Sequence, residues 1–523
     1  MYLNRSVKIS CLTLFFLLNV ILFYLGIINF NGNYYHFIIL FLVCNFYIYY
    51  SFEYSNLFLD KTLSIFFWLG FFYKLCIILI YKHTFPEGGG AFEYKPDDYD
   101  KLIKFSYIGI SAFLFGSIFF NKYFTFNSSN FLNEQKILVS FYQNNKKLIF
   151  LIFLILLIIV NSLNLYFGFY QKGLLPETEL NFLFGAFIKW MLLFGLTSIS
   201  CLLIEYEIKS QKYIGSLVIF LFLLELAFTN YSLLSRSLIF TGSAVLFSTF
   251  INFENYVIKK NINNSLIFNS FILFIVFAIL IIPINKIRNT KFIDSEYILK
   301  KEVEKILENK NELKKYEVIV GNGKLTKDGI LKIKKKMNFD QIKNKEVLNI
   351  YENIDRIIFV IKNRFVGLDG VAAVTSYPDK NFSLFILAIQ ENFNPNLYGF
   401  YERTFIKPFE NNTNSSKYVK SSKRHYGIIL PGIISFLSYS GSIYFLIISC
   451  FLVHLTCSLI EHYSRKFTFN SLIFSNFIGF IIGYRLVHFG YLPKQSYLII
   501  SAIVLTILSI YITKKLIINF YKS

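Results

Sequence analysis

Charged side chains that fall inside long apolar runs are the first residues in this sequence able to do chemistry. Lys74, Lys189, Glu225, Arg236 and Arg485 lie in such runs, with His454 and His488 as weaker candidates. An ionisable group at membrane depth is costly and by default marks a substrate path, a relay or a counter-ion. Arg236 stands out because it opens an apolar run, in Ser232-Leu-Leu-Ser-Arg-Ser. A guanidinium there can grip a phosphate through paired hydrogen bonds; the bland alternative is an interfacial arginine snorkelling to headgroups. Arg485, close to His488, is either a second anion ligand or an internal hydrogen-bond anchor. Lys74 and Lys189 read as snorkelling or paired, and Glu225 as a structural partner.

A second set lies in the polar stretch between Asn285 and Tyr426. Arg364-Phe-Val-Gly-Leu-Asp-Gly-Val holds glycines that permit close backbone approach. Arg364 suits phosphate or sugar hydroxyls. Asp369 suits acid/base work or substrate binding, or simply the cap of a helix starting near Val371. Arg403 and the run Lys423-Arg424-His425 add positive charge fit for an anionic pyrophosphate, and His425 titrates in the range a general base needs. Their plain reading is a solvated flank. Leu430-Pro431-Gly432 breaks a helix and suits a re-entrant segment, which membrane depth tolerates only where protein or a cavity surrounds it. Asp97, Asp98 and Asp100 can hold a cation or act as a base, but acidic loops are common. No phosphate-loop, HExxH or G-x-S-x-G pattern occurs. Cys11, Cys44, Cys76, Cys201, Cys450 and Cys457 all fall in apolar runs, which argues against a disulfide framework or a cysteine metal site. Neither a metal nor another cofactor is expected.

The elements that must position these residues are membrane helices. Of 523 residues, 55% are hydrophobic and only 16% charged, against about a quarter charged in soluble domains. The net charge is +21, but many of the lysines flank apolar runs, so nucleic acid is not an expected partner. Counting runs of about 20 apolar residues predicts about twelve spans, near 10–30, 35–52, 62–81, 102–121, 147–166, 182–204, 212–230, 236–252, 265–284, 434–460, 471–490 and 496–513. Lysines and arginines favour alternate connections, which places both termini in the cytoplasm and the long polar stretch outside. The expected domains are therefore 1–284 (nine spans), an extracytoplasmic loop domain at 285–426, and 427–523 (three spans). Within the loop domain, 295–315 reads as a solvated helix, 317–326 as a small hairpin and 339–365 as an amphipathic helix.

Taken together, the late outer loop, the Ser-Arg-Ser at 235–237, Arg364, and Leu430-Pro-Gly followed by Ser440-Gly441 resemble the bacterial O-antigen or capsular repeat-unit polymerases of the Wzy type. The resemblance covers most of the chain as architecture, and as sequence only these short patches. It implies an all-α polytopic, GT-C-like fold in the inner membrane. The implied reaction is metal-independent transfer of a glycan from undecaprenyl pyrophosphate onto the next lipid-linked repeat unit. It further implies a chain-length regulator and a flippase as protein partners. The arginine role falls on Arg236, Arg364 and Arg403; Lys423, Arg424 and Arg485 are read from their own positions as substrate-binding residues. The Arg-x10-Gly and His-x9-Gly patterns of some members are not matched: Thr375 and Ser435 occupy the glycine positions. An O-antigen ligase-like or other lipid-linked sugar transferase shares this topology, and an exporter of lipid-linked oligosaccharide is the alternative outside the enzymes.

Overall fold

Long apolar runs satisfy their backbone hydrogen bonds in lipid by becoming helices. In the computed structural model every regular element among the described residues is helical. Those residues are 5–81, 85, 89–124, 131–172, 178, 182–211, 215–235, 238–253, 268–284, 287, 365, 367–392, 399–409, 430–490 and 493–522. The helices are α1 (Arg5–Ile28), α2 (Tyr34–Glu53), α3 (Phe58–Phe67), α4 (Lys74–Tyr81), α5 (Pro96–Tyr123), α6 (Leu132–Phe167), α7 (Phe182–Trp190), α8 (Leu196–Gln211), α9 (Ser216–Ser232) and α10 (Leu238–Phe253). There follow α11 (Phe268–Ile284), α12 (Leu368–Thr375), α13 (Phe382–Gln390), α14 (Ile433–Leu437), α15 (Ile443–Phe467), α16 (Leu472–Val487) and α17 (Ser496–Lys522). Single π-helical turns, Trp68–Tyr73 and Met191–Gly195, join α3 to α4 and α7 to α8.

Among the described residues, seven helices are long and apolar enough to cross a membrane, and five shorter apolar helices accompany them. Each of the twelve runs picked from the sequence overlaps one of these helices. The lipid-facing character is plain on α6, where Leu148, Leu151, Ile152, Ile155 and Ile159 are all exposed.

The chain divides into two units, Met1–Ile284 with Phe365–Ser523, and Asn285–Arg364. The expected loop domain of 285–426 is therefore not one body: the helical unit resumes at Phe365, so α12, α13 and residues 399–409 belong to it. The hairpin and the two helices expected between 295 and 365 lie outside the described residues, Phe365 apart. The tenth apolar run also differs from expectation. Its helix starts at Ile443; residues 433–437 form the separate short helix α14, followed by a 3-10 turn at Ser438–Ser440 and a left-handed Gly441.

The helical unit is organised around α3 and α16. They pack along Gly479 and Gly483, spaced so that both glycines share one face. A Cβ at Gly479 would lie 2.9 Å from the Leu59 amide nitrogen, and one at Gly483 would lie 2.9 Å from Thr62 Cγ2. Glycine at these positions leaves room for the Leu59 backbone, the Glu461 carboxylate and the Thr62 side chain. Helices α2, α5 and α15 pack outward from α3 in turn, and α8 and α10 pack on α16.

Candidate functional site

The π-helical turn that precedes α4 and the C-terminal end of α16 both meet the segment of α12 and α14: Gly367 abuts Phe71, and Gly432 abuts the Val487 carbonyl. Every residue of α12 and of α14 is buried. An apolar octet such as Leu368–Thr375 can be that short and still stable because its neighbours, not its length, hold it. The chain enters α12 through Gly367, at φ +139°, and enters α14 through Gly432, at φ +83°; side-chain-bearing residues rarely adopt such values. The Gly432 amide donates to the Phe489 carbonyl at 2.8 Å, just past the end of α16. A small pocket is lined by Phe67, Phe71, Gly367, Pro431, Gly432 and Val487. Helix-breaking residues thus build a buried backbone turn beside α16, as the Leu-Pro-Gly pattern suggested.

Arg485 lies on α16, two residues before Val487. The residue is half-buried, and its Nε is buried with no hydrogen-bond partner. Tyr170 and Tyr484 are its electrostatic neighbours. Tyr484 and His488 stack with ring centroids 4.2 Å apart, and the Lys189 ammonium lies 5.7 Å over the Tyr170 ring. The loop carrying Tyr170 is tied to the end of α9: Asn164 donates to the carbonyls of Tyr170 and Ser232, and the Lys172 amide donates to the Leu233 carbonyl. Leu234, just past the end of α9, sits at φ +48°, unusual for a branched side chain, and Ser235, next in the chain, is buried.

Asp369 is neither a helix cap nor an open acid/base. Helix α12 starts before it, at Leu368, and its carboxylate pairs with Lys74 at 2.9 Å, both side chains being buried. The cap expectation fails because an ammonium from α4 competes for the same carboxylate. Arg403 pairs with Glu391 at 2.8 Å and is partly exposed. Arg236, Arg364, Lys423, Arg424 and His425 lie outside the described residues. Of the expected site residues, the structure therefore places Asp369 in the helix packed against the buried turn, sets Arg485 beside Tyr170 and Tyr484 on the helix whose end meets that turn, and gives Arg403 an acidic partner. Asp98 and Asp100 serve the backbone, accepting from the amides of Glu93 and Asn33.

A second polar region, at the opposite end of the bundle, escaped sequence reasoning except for His454. Glu461 of α15 accepts the amides of Phe58 and Leu59 at 2.7 and 2.9 Å, and Glu205 of α8 accepts that of Ile473 at 3.0 Å. The first turns of α3 and α16 hold amides with no partner in their own helix, and a buried carboxylate answers both those amides and the helix dipole. Asp60 and His454 pair beside them. Lys146, Lys209 and Lys514 bind into the same end. Among the described residues, no group of three or more His, Cys, Asp or Glu is placed to hold a metal ion.

No protein-family model, curated protein or solved structure matches the chain.

Proposed function

We propose that this chain polymerises undecaprenyl-pyrophosphate-linked oligosaccharide repeat units into O-antigen or capsular polysaccharide, on the outer side of a bacterial inner membrane. The observation that carries the reading is Arg485. It is a cation set in an apolar helix, its Nε is buried and unbonded, and no described carboxylate pairs with it. A half-buried cation whose Nε is buried without a partner is unfavourable, so an anion from outside the chain suits this place. A lipid diphosphate supplies one together with a tail at home among apolar helices.

In this reading all twelve apolar helices cross the membrane. The end bearing Lys61, Lys146, Lys209, Arg465, Lys466 and Lys514 faces the cytoplasm by the positive-inside rule, and the Arg485 end faces outward. The acceptor hydroxyl oxygen bonds to C1 of the growing glycan, the bond from C1 to the pyrophosphate oxygen breaks, and the diphosphate leaves with the bonding electrons. Arg485, with Arg236 and the basic run at Lys423 and Arg424, stabilises that departing charge, and His425 takes the hydroxyl proton. Arg403, already paired with Glu391, contributes less.

Purified protein reconstituted with lipid-linked repeat units tests this. Longer lipid-linked glycans are expected, and Arg485→Ala should slow their formation about 10²–10³-fold, the effect of losing one preorganised charge-stabilising group. No elongation by the wild-type protein ends the reading. Transfer of the glycan to a different acceptor lipid would select the ligase-like alternative. Export of lipid-linked oligosaccharide is favoured by one observation, the fully buried Glu225, whose Oε2 has no partner while Thr197 and Thr229 donate to Oε1. Translocation without elongation would select it.

A further inference from the structure

The helix packed against the buried turn, α12, is held from α4 by one lysine. Lys74 directly follows the π-helical turn Trp68–Tyr73, whose extra residue re-aims the side chains after it. Its ammonium lies 2.9 Å from Asp369 Oδ2 and donates to the Phe365 carbonyl at 3.1 Å. The Tyr73 ring meets Phe365 edge-on at 6.2 Å. From that anchor the packing runs backbone to backbone. Gly370 abuts Pro431, a Cβ at Gly432 would lie 3.6 Å from the Gly367 Cα and 3.0 Å from the Val487 carbonyl oxygen, and Gly432 bonds to Phe489. Val487 and Phe489 flank the end of the helix that carries Arg485.

We infer that Lys74 is a positioning residue, with Asp369 as its counter-ion, and that the pair fixes α12 and the Pro431–Gly432 turn in register with the end of α16, the helix that carries Arg485. The inference rests on the polymerase reading above. Apolar packing alone lets a short helix slide or rotate, because dispersion contacts are non-directional. A buried ammonium with a carboxylate and a carbonyl to satisfy has far fewer acceptable places, since misplacing it strands a charge. Asp369 is committed to this pairing, so it does not take the acceptor's proton.

The test compares Lys74→Met, Asp369→Leu and the double variant, each reconstituted in lipid. Each single variant strands one buried charge and is expected to melt lower, with faster amide hydrogen exchange over residues 365–375. The double variant strands none and should regain the wild-type melting temperature. If the pair positions the turn, the double variant still elongates at least ten-fold more slowly per folded molecule and keeps the faster exchange. A double variant with wild-type elongation and wild-type exchange overturns the inference and leaves the pair merely structural. Where the wild-type protein itself fails to elongate, the polymerase reading falls on its own; unchanged exchange over 365–375 in Lys74→Met then independently overturns the clamp.

Discussion

The Asp60 carboxylate and the His454 imidazole meet at 2.6 Å, Oδ1 to Nε2, and neither side chain is exposed to solvent. The other carboxylate oxygen, Oδ2, accepts from the hydroxyls of Ser55 and Ser117, both at 2.5 Å, and Ser458 bonds to His454 Nδ1 at 3.3 Å. Gly116 makes room for the imidazole on α5: a Cβ there would lie 2.8 Å from Nδ1. Three helices, α3, α5 and α15, are thus tied by one saturated polar knot within an apolar bundle.

That knot predicts an asymmetry between single and double substitutions. His454→Leu leaves the Asp60 carboxylate without its imidazole and should cost about 3–5 kcal/mol, as breaking a buried pair does. Replacing both residues by leucine removes the stranded charge, and most of the loss should return. Thermal unfolding in detergent measures this; a double variant no more stable than His454→Leu would show that packing, not charge, carries the tie.

The apolar helices were legible because each is written in about twenty consecutive residues. So was the broken-helix turn, because Pro431 and the glycines at 367, 370 and 432 have few other uses. The polar knot was not. Asp60 and Lys61 sit at the edge of an apolar run and read as ordinary flanking charges, and the His454 partner lies 394 positions away. Glu461 likewise sits among polar residues at a helix end, and only the fold reveals that it caps α3. Asp369 misled for the same reason: a carboxylate near a helix start looks like a cap until α4 brings Lys74 to it. Local pattern gives elements, whereas counter-ions across the bundle require the fold itself.

Stability should also respond to pH through Lys380, in the loop between α12 and α13. Its ammonium donates to the carbonyls of Thr375 and Tyr377 at 2.7 and 2.6 Å. Burial, helped by the nearby Lys101 charge, lowers its pKa to about 8 from 10.5. The folded-state value lies below the unfolded one. Between these values the unfolded chain holds a proton that the folded chain has released, so this group's contribution to stability rises with pH. Below pH 8 both states are charged and the penalty is full. The wild-type melting temperature should therefore climb more steeply, or fall less steeply, from pH 8 to 10 than that of Lys380→Met. The offset between the two should be constant at lower pH. Parallel curves throughout would mean the ammonium is not disfavoured in the folded state. The group is partly solvated, so the effect is small.

Gly370 offers the sharpest test of the buried turn itself. A methyl group at this position would run into the Pro431 backbone, its carbonyl oxygen, Cα and carbonyl carbon together. A side chain can rotate away from an added methyl, but a proline backbone pinned on its other side cannot. Pro431 is so pinned, because its ring abuts Gly490 and the following Gly432 is bonded to Phe489. Gly370→Ala must then push α12 off the turn and should cost about 1–3 kcal/mol, the range for overpacking a tight core. It should also slow elongation per folded molecule, since the displaced turn adjoins the end of α16. Val371→Ala, the neighbouring change, removes buried atoms from the same helix without pushing on Pro431. It should lower the melting temperature yet leave elongation per folded molecule unchanged. Equal losses of elongation in the two variants would mean that α12 matters only as filler and that its distance from Pro431 is of no consequence.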